Sequence, residues 1–225
     1  MRPAPKRLLV WPLTVATVIL FGGVLSPAVG QPEAESPAAG RLVSASRSVM
    51  VTVGGPRKGE APGRYFNVQG LSSRGDSKFA SFGLLDFDIE PGQQKAAGTM
   101  RKATLVLTQS IPPFAKPGPL LFFIPRDPDE EITTLKFAIE GETALGDTLP
   151  RCIPCGEATF TIEATGRKDR FELDFDEEAE AVVDRLLEDG GRLRLLVVPG
   201  GVDVAATYFG VEQPEPENRP SLVLE

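Results

Sequence analysis

The chain has 225 residues, with 24 Lys and Arg against 31 Asp and Glu. It contains no histidine, which excludes Ser-His-Asp and Cys-His catalysis, His-ligated zinc and an imidazole base. The acidic balance argues against partners rich in phosphate, which need a basic patch.

Residues 1–30 have the pattern of a signal peptide. Arg2, Lys6 and Arg7 form a basic start, residues 8–25 are uncharged and apolar, and Ser26-Pro27-Ala28-Val29-Gly30 places small residues before a cleavage point at Gln31. The alternative is an uncleaved anchor, because the apolar run is about as long as a short spanning helix. No cysteine follows the run, so a lipoprotein anchor is not expected. Setting the leader aside leaves 21 basic residues against 31 acidic ones, a charge of −10, and removes the one tryptophan, Trp11. The membrane is therefore expected as a partner only before cleavage, and nucleic acid not at all. Residues 31–43 begin rich in Pro, Ala and Glu and are expected to be a flexible linker. Residues 44–225 then suit one all-β domain.

Within that domain the pattern has a period of two. Residues 48–53 and 64–68 are short strand candidates. Residues 79–88 are a longer one, with Phe79, Leu85 and Phe87 on one face and Phe82 and Leu84 on the other. Apolar residues on both faces predict a central strand. Residues 103–108 and 120–124 follow, then the alternating sets Leu135/Phe137/Ile139, Ala158/Phe160/Ile162/Ala164, Phe171/Leu173/Phe175 and Leu193/Leu195/Val197. Residues 205–209 and 221–224 close the series. Each alternation predicts one face on a core and one in water. Pro and Gly fill the gaps, as in Pro117-Gly118-Pro119 and Pro199-Gly200-Gly201. The expected architecture is a two-sheet antiparallel β-sandwich, jelly-roll-like in topology. One amphipathic helix interrupts it. Asp176-Glu177-Glu178 opens the helix, Ala179, Val182, Val183, Leu186 and Leu187 form its stripe, and Gly190 ends it. It is expected to cap one end of the sandwich.

Residues 63–70 (Gly-Arg-Tyr-Phe-Asn-Val-Gln-Gly), 79–87, 103–110 and the closing Val204-Ala205-Ala206-Thr207-Tyr208-Phe209-Gly210 resemble secreted bacterial β-sandwich proteins, many of which carry a PEP-CTERM sorting tail. The helix before a penultimate strand is also similar to the DNRLRE domain, a jelly-roll module of extracellular and carbohydrate-active proteins. The resemblance spans roughly residues 44–224. It implies a polysaccharide partner, and with the leader it sets the expected location as secreted, periplasmic or at the cell surface. The letters DNRLRE are absent, and no long apolar segment follows Pro214-Glu215-Pro216, so a sorting tail is not expected.

Several residue groups are candidates for chemistry. Tyr65, Asn67, Asp86, Asp88 and Tyr208 are the expected ligand-binding set. Asp86 and Asp88 share a face of an apolar strand, where a buried carboxylate needs a partner, and Tyr65 and Tyr208 are the only tyrosines available to stack on a sugar. Asp127, Asp129 and Glu130 could wrap a calcium ion, although their loop lacks the glycine of an EF-hand. No other cofactor is expected. Cys152-Ile153-Pro154-Cys155 has redox spacing, but it lies between two strand candidates. An exported protein favours a small disulfide there. Arg74-Gly75-Asp76 is read as a turn. No catalytic residue stands out, so the expected function is a non-catalytic, exported polysaccharide-binding module. A structural or protein-interaction component of the envelope is the alternative, and a carboxylate-based glycan-active enzyme stands behind both.

Overall fold

The structure, a computed structural model, describes residues 41–52, 63–92, 101–127 and 152–225. The leader, most of the linker, the Leu135/Phe137/Ile139 set, Asp129 and Glu130 lie outside them.

Ten strands and one helix account for the fold. The strands are β1 (Arg41–Thr52), β2 (Tyr65–Gln69), β3 (Ser81–Ile89), β4 (Lys102–Thr108), β5 (Gly118–Pro125), β6 (Cys152–Phe160), β7 (Lys168–Asp174), β8 (Gly191–Pro199), β9 (Ala205–Phe209) and β10 (Ser221–Leu224), with α1 (Glu177–Asp189) between β7 and β8. All pairings are antiparallel, in the order β6-β5-β8-β3-β1-β10-β4-β7. β9 pairs with β2, which joins β3 where Gln69 meets Ser81. The expected two-sheet sandwich thus has as its counterpart one antiparallel sheet, curled nearly into a barrel.

β1 makes the sheet continuous. Its residues 41–44 pair with β10 and residues 45–52 with β3, with an irregularity between Ala45 and Arg47 just after the change of partner. A bulge of this kind bends a strand and lets it turn from one partner to another. β1 begins at Arg41, three residues inside the segment read as linker.

β3 is central, as its residues predict, with Leu85 and Phe87 in the main core and Phe82 and Leu84 in a smaller cluster on the opposite face. Phe79 lies just outside it, in a short 3-10 turn. β8 departs from its expected pattern. Leu196 and Val198 are buried with Phe82 and Leu84, so this strand is covered on both faces rather than half-wetted. β6 also differs, because it starts at the cysteines and ends at Phe160. Ile162 is exposed beyond its end.

The helix follows its sequence signals. Asp176 accepts a 2.9 Å hydrogen bond from the Ala179 amide at the first turn, and Gly190 closes the last turn at φ 76°. All five stripe residues are buried in the main core. Arg126, at the end of β5, pairs with Glu178 in the first turn.

Candidate functional site

The ends of the strand path, β6 and β7, form the seam of the near-barrel. They are consecutive in the chain, joined by residues 161–167, yet no ladder pairs them among the described residues. They approach at Gly156, where a Cβ would stand 3.2 Å from the Glu172 carbonyl oxygen. Toward the joining loop they leave a cleft of about 360 Å³, lined by Ala158 and Thr159 on one side and Arg167 to Phe171 on the other.

Gln109 occupies the base of this seam. It follows β4 in phase with the buried Leu105 and Leu107, and its side chain is fully buried. Its Nε2 donates to the Thr161 carbonyl oxygen at 2.9 Å and to both Asp169 oxygens at 2.8 Å, and its Oε1 accepts from the Glu163 amide at 3.3 Å. Its backbone amide donates to the Arg167 carbonyl oxygen, and its carbonyl accepts from the Gly166 amide. One amide side chain therefore substitutes for the missing first rungs of a β6–β7 ladder. Tyr208 Oη also donates to Asp169 Oδ2, at 3.2 Å.

This environment sets two pKa values. Burial raises the Asp169 carboxyl above its ordinary value, although the bonds from Gln109 and Tyr208 and the charge of Arg167 pull it down; the Glu163 charge adds to the rise. Burial pushes the Tyr208 phenol well up, and the neighbouring Asp169 adds to that. The cleft therefore offers cations from Arg167, Lys168 and Arg170, a half-buried carboxylate and an exposed hydroxyl from Thr159. It can hold a polar ligand through charge and hydrogen bonds.

The residues expected to bind ligand do not gather on one surface. Tyr65 and Asn67 share the outer face of β2. Tyr65 is 40% exposed, with the Phe209 ring centroid 5.5 Å away, and Asn67 Oδ1 accepts from Thr207 Oγ1 at 2.8 Å. Tyr208 points into the core, where it packs edge-on to Phe160 and Phe171. Asp86 is buried against Arg194, whose Nε donates to Oδ1 at 2.7 Å, while Asp88 on the same strand face is exposed.

The expected disulfide is absent. Cys152 and Cys155 are three residues apart on an extended strand, with Cys155 in the main core and Cys152 against the cluster on the opposite face. Three steps along a strand separate the α-carbons by about 10 Å, beyond the roughly 7 Å limit for a bridge. Burial pushes the Cys155 thiol up to about 12, with the Asp176 charge adding to it, so it carries no thiolate at neutral pH.

Asp127 is exposed at the end of β5, and no group of three metal-ligating residues forms among the described residues. A second cleft, of about 590 Å³, runs beside the start of α1 with Asp176, Glu177, Glu180 and Asp184 on its wall. Two of these acids have local duties, since Asp176 caps the helix and Glu180 pairs with Arg101 at 3.8 Å. The Arg-Gly-Asp tripeptide is a turn with its ends engaged. Arg74 stacks between Phe79 and Phe114 at 4.1 and 4.4 Å, Gly75 has φ 72°, and Asp76 takes both the Lys78 amide and its ammonium. No helix among the described residues is long and apolar enough to cross a membrane.

Neither a protein-family model nor a curated protein matches this chain. What the fold and the seam define is a class of molecule, an all-β antiparallel domain with a polar, cation-lined cleft between its end strands.

Proposed function

We propose that the protein is an exported, non-catalytic binding module for a polysaccharide, and that it meets its ligand in the cleft between β6 and β7. In this reading the sheet is a jelly-roll-like sandwich, related to the DNRLRE and PEP-CTERM-associated secreted proteins, in which β1 crosses from one layer to the other. The observation that carries the reading is the composition of the cleft, with Thr159, Arg167, Asp169 and Arg170 around one polar opening. Hydroxyl-rich chains are recognised by such paired donors and acceptors. The large apolar side chains exposed among the described residues are Leu42 on β1, Tyr65 on β2 and Ile162 in the loop after β6.

The count of acids on the wall of this cleft supports the non-catalytic reading. Glycoside hydrolysis needs two facing carboxyl groups, and Asp169 is the one acid on the wall of this cleft among the described residues. The test is binding to a panel of soluble polysaccharides, with calcium and with chelator. The expected result is saturable binding to at least one glycan, weakened about ten-fold or more in Arg167→Ala/Arg170→Ala, the loss of about two charge-assisted hydrogen bonds. Binding lost on chelation would bring Asp127, Asp129 and Glu130 back as calcium ligands. No binding to any glycan, or binding indifferent to the double substitution, would transfer the assignment to the structural reading. Turnover of a glycan would transfer it to an enzyme.

A further inference from the structure

A second charged site lies on the outer face of β3, separate from the seam. Asp86 stands in a cross-strand row between Arg47 of β1 and Arg194 of β8. Arg194 answers it with two bonds, Nε to Oδ1 at 2.7 Å and Nη2 to Oδ2 at 3.2 Å, and both side chains are at most 5% exposed. That bidentate pair neutralises the buried carboxylate.

Two more guanidinium groups nonetheless converge on the same Oδ2, Arg47 at 3.6 Å and Arg192 at 3.8 Å. These distances exceed a hydrogen bond, and the two side chains remain 54% and 46% exposed. Asp86 therefore does not use up their donors. Three guanidinium groups face one buried carboxylate, and among the described residues the exposed Asp88, opposite Arg192 in the ladder, offsets only one of the two surplus charges. Arg41 and Glu90, further along, form their own pair at 3.7 Å. Gathering like charges this closely costs free energy unless an anion shares them.

We infer that Arg47 and Arg192 form an oxyanion-binding site across β3, taking a carboxylate or sulfate group, with the Asp86–Arg194 pair as its fixed floor. Both cations reach toward one oxygen atom from the two strands flanking β3, so a single oxyanion can accept from both. The exposed Arg47 and Arg192 supply the bonds to the ligand. Asp86 and Arg194 are positioning residues. The inference stands independently of the polysaccharide reading of the seam.

The test is titration of the protein with sodium sulfate and, separately, with galacturonate, at constant ionic strength, followed through the arginine Nε–H resonances. Sulfate alone would mark a site for a free oxyanion, and galacturonate would mark one for a sugar-borne carboxylate. Saturable binding of either, with shifts at Arg47 and Arg192, supports the site. Arg47→Ala and Arg192→Ala should each weaken it about five-fold or more, as removal of one charge-assisted partner does. Asp88→Asn should tighten it about two-fold by removing a repelling charge. All three positions are exposed, so the variants should retain the wild-type thermal transition. Shifts that do not saturate, unchanged binding in the Arg47→Ala/Arg192→Ala variant, or no response to Asp88→Asn would each overturn the inference.

Discussion

Asp169 shows at the scale of one residue how a half-buried polar group leaves a mark on the whole protein. Its carboxyl titrates higher in the folded state than in the unfolded chain, chiefly because burial penalises its charge. Between its folded midpoint and the ordinary value of 3.8, the native state holds more proton at this site than the unfolded state does. The contribution of Asp169 to stability therefore rises as pH falls through the folded midpoint and levels off below the ordinary value. Comparing wild type with Asp169→Asn in urea between pH 7 and pH 4 isolates it. Wild type should gain on the variant as the pH drops, and a constant difference would contradict the assignment. The residues that build this site were visible in outline. Asp169 is in phase with Phe171 and Leu173, and Gln109 with Leu105 and Leu107, so each was a polar residue on an inward face. What the sequence could not show was that they meet, because 60 positions separate them and only the β4–β7 register brings them together. Asp86 was legible as a carboxylate needing a partner. Arg194 was not, because its alternation with Leu193 and Leu195 resembles that of a solvent-facing residue.

At the scale of the element, β3 was the most legible part of the chain, since apolar residues on both faces admit few positions other than a central one. It also contains a packing constraint that the pattern does not reveal. Gly83 faces the Phe66 ring of β2 so closely that an added methyl group would lie 2.4 Å from Cδ2. Gly83→Ala should therefore destabilise the protein by about 1–3 kcal/mol, the usual cost of overpacking a filled core. Chemical denaturation measures this. Adding Phe66→Leu should make the substitution less damaging than it is alone, because the smaller side chain makes room. Equal costs in both backgrounds would mean that the ring is not the obstacle. The helix was legible for the same reason as β3, because its stripe and caps are local. The disulfide reading failed because spacing in sequence says nothing about direction, and an extended strand turns residues three apart to opposite faces.

Across the whole molecule, β1 and β10 decide whether the sheet is one piece. β10 lies between β1 and β4, so removing residues 221–225 takes away two ladders at once. The shortened chain should lose its single cooperative thermal transition, and a sharp transition near the wild-type temperature would show that the two halves stand separately. The all-β class was readable from alternation and turns. The near-barrel was not, because strand order depends on pairings between residues far apart, such as Arg41 with Leu224. That same pairing has a consequence in time. Strand β1, the first of the described strands in chain order, takes β10, the tenth, as its neighbour, so the sheet is joined through a contact between strands far apart in sequence. The ordering entropy of the intervening chain must be lost before that pairing is rewarded, so it belongs among the late and slow steps of folding.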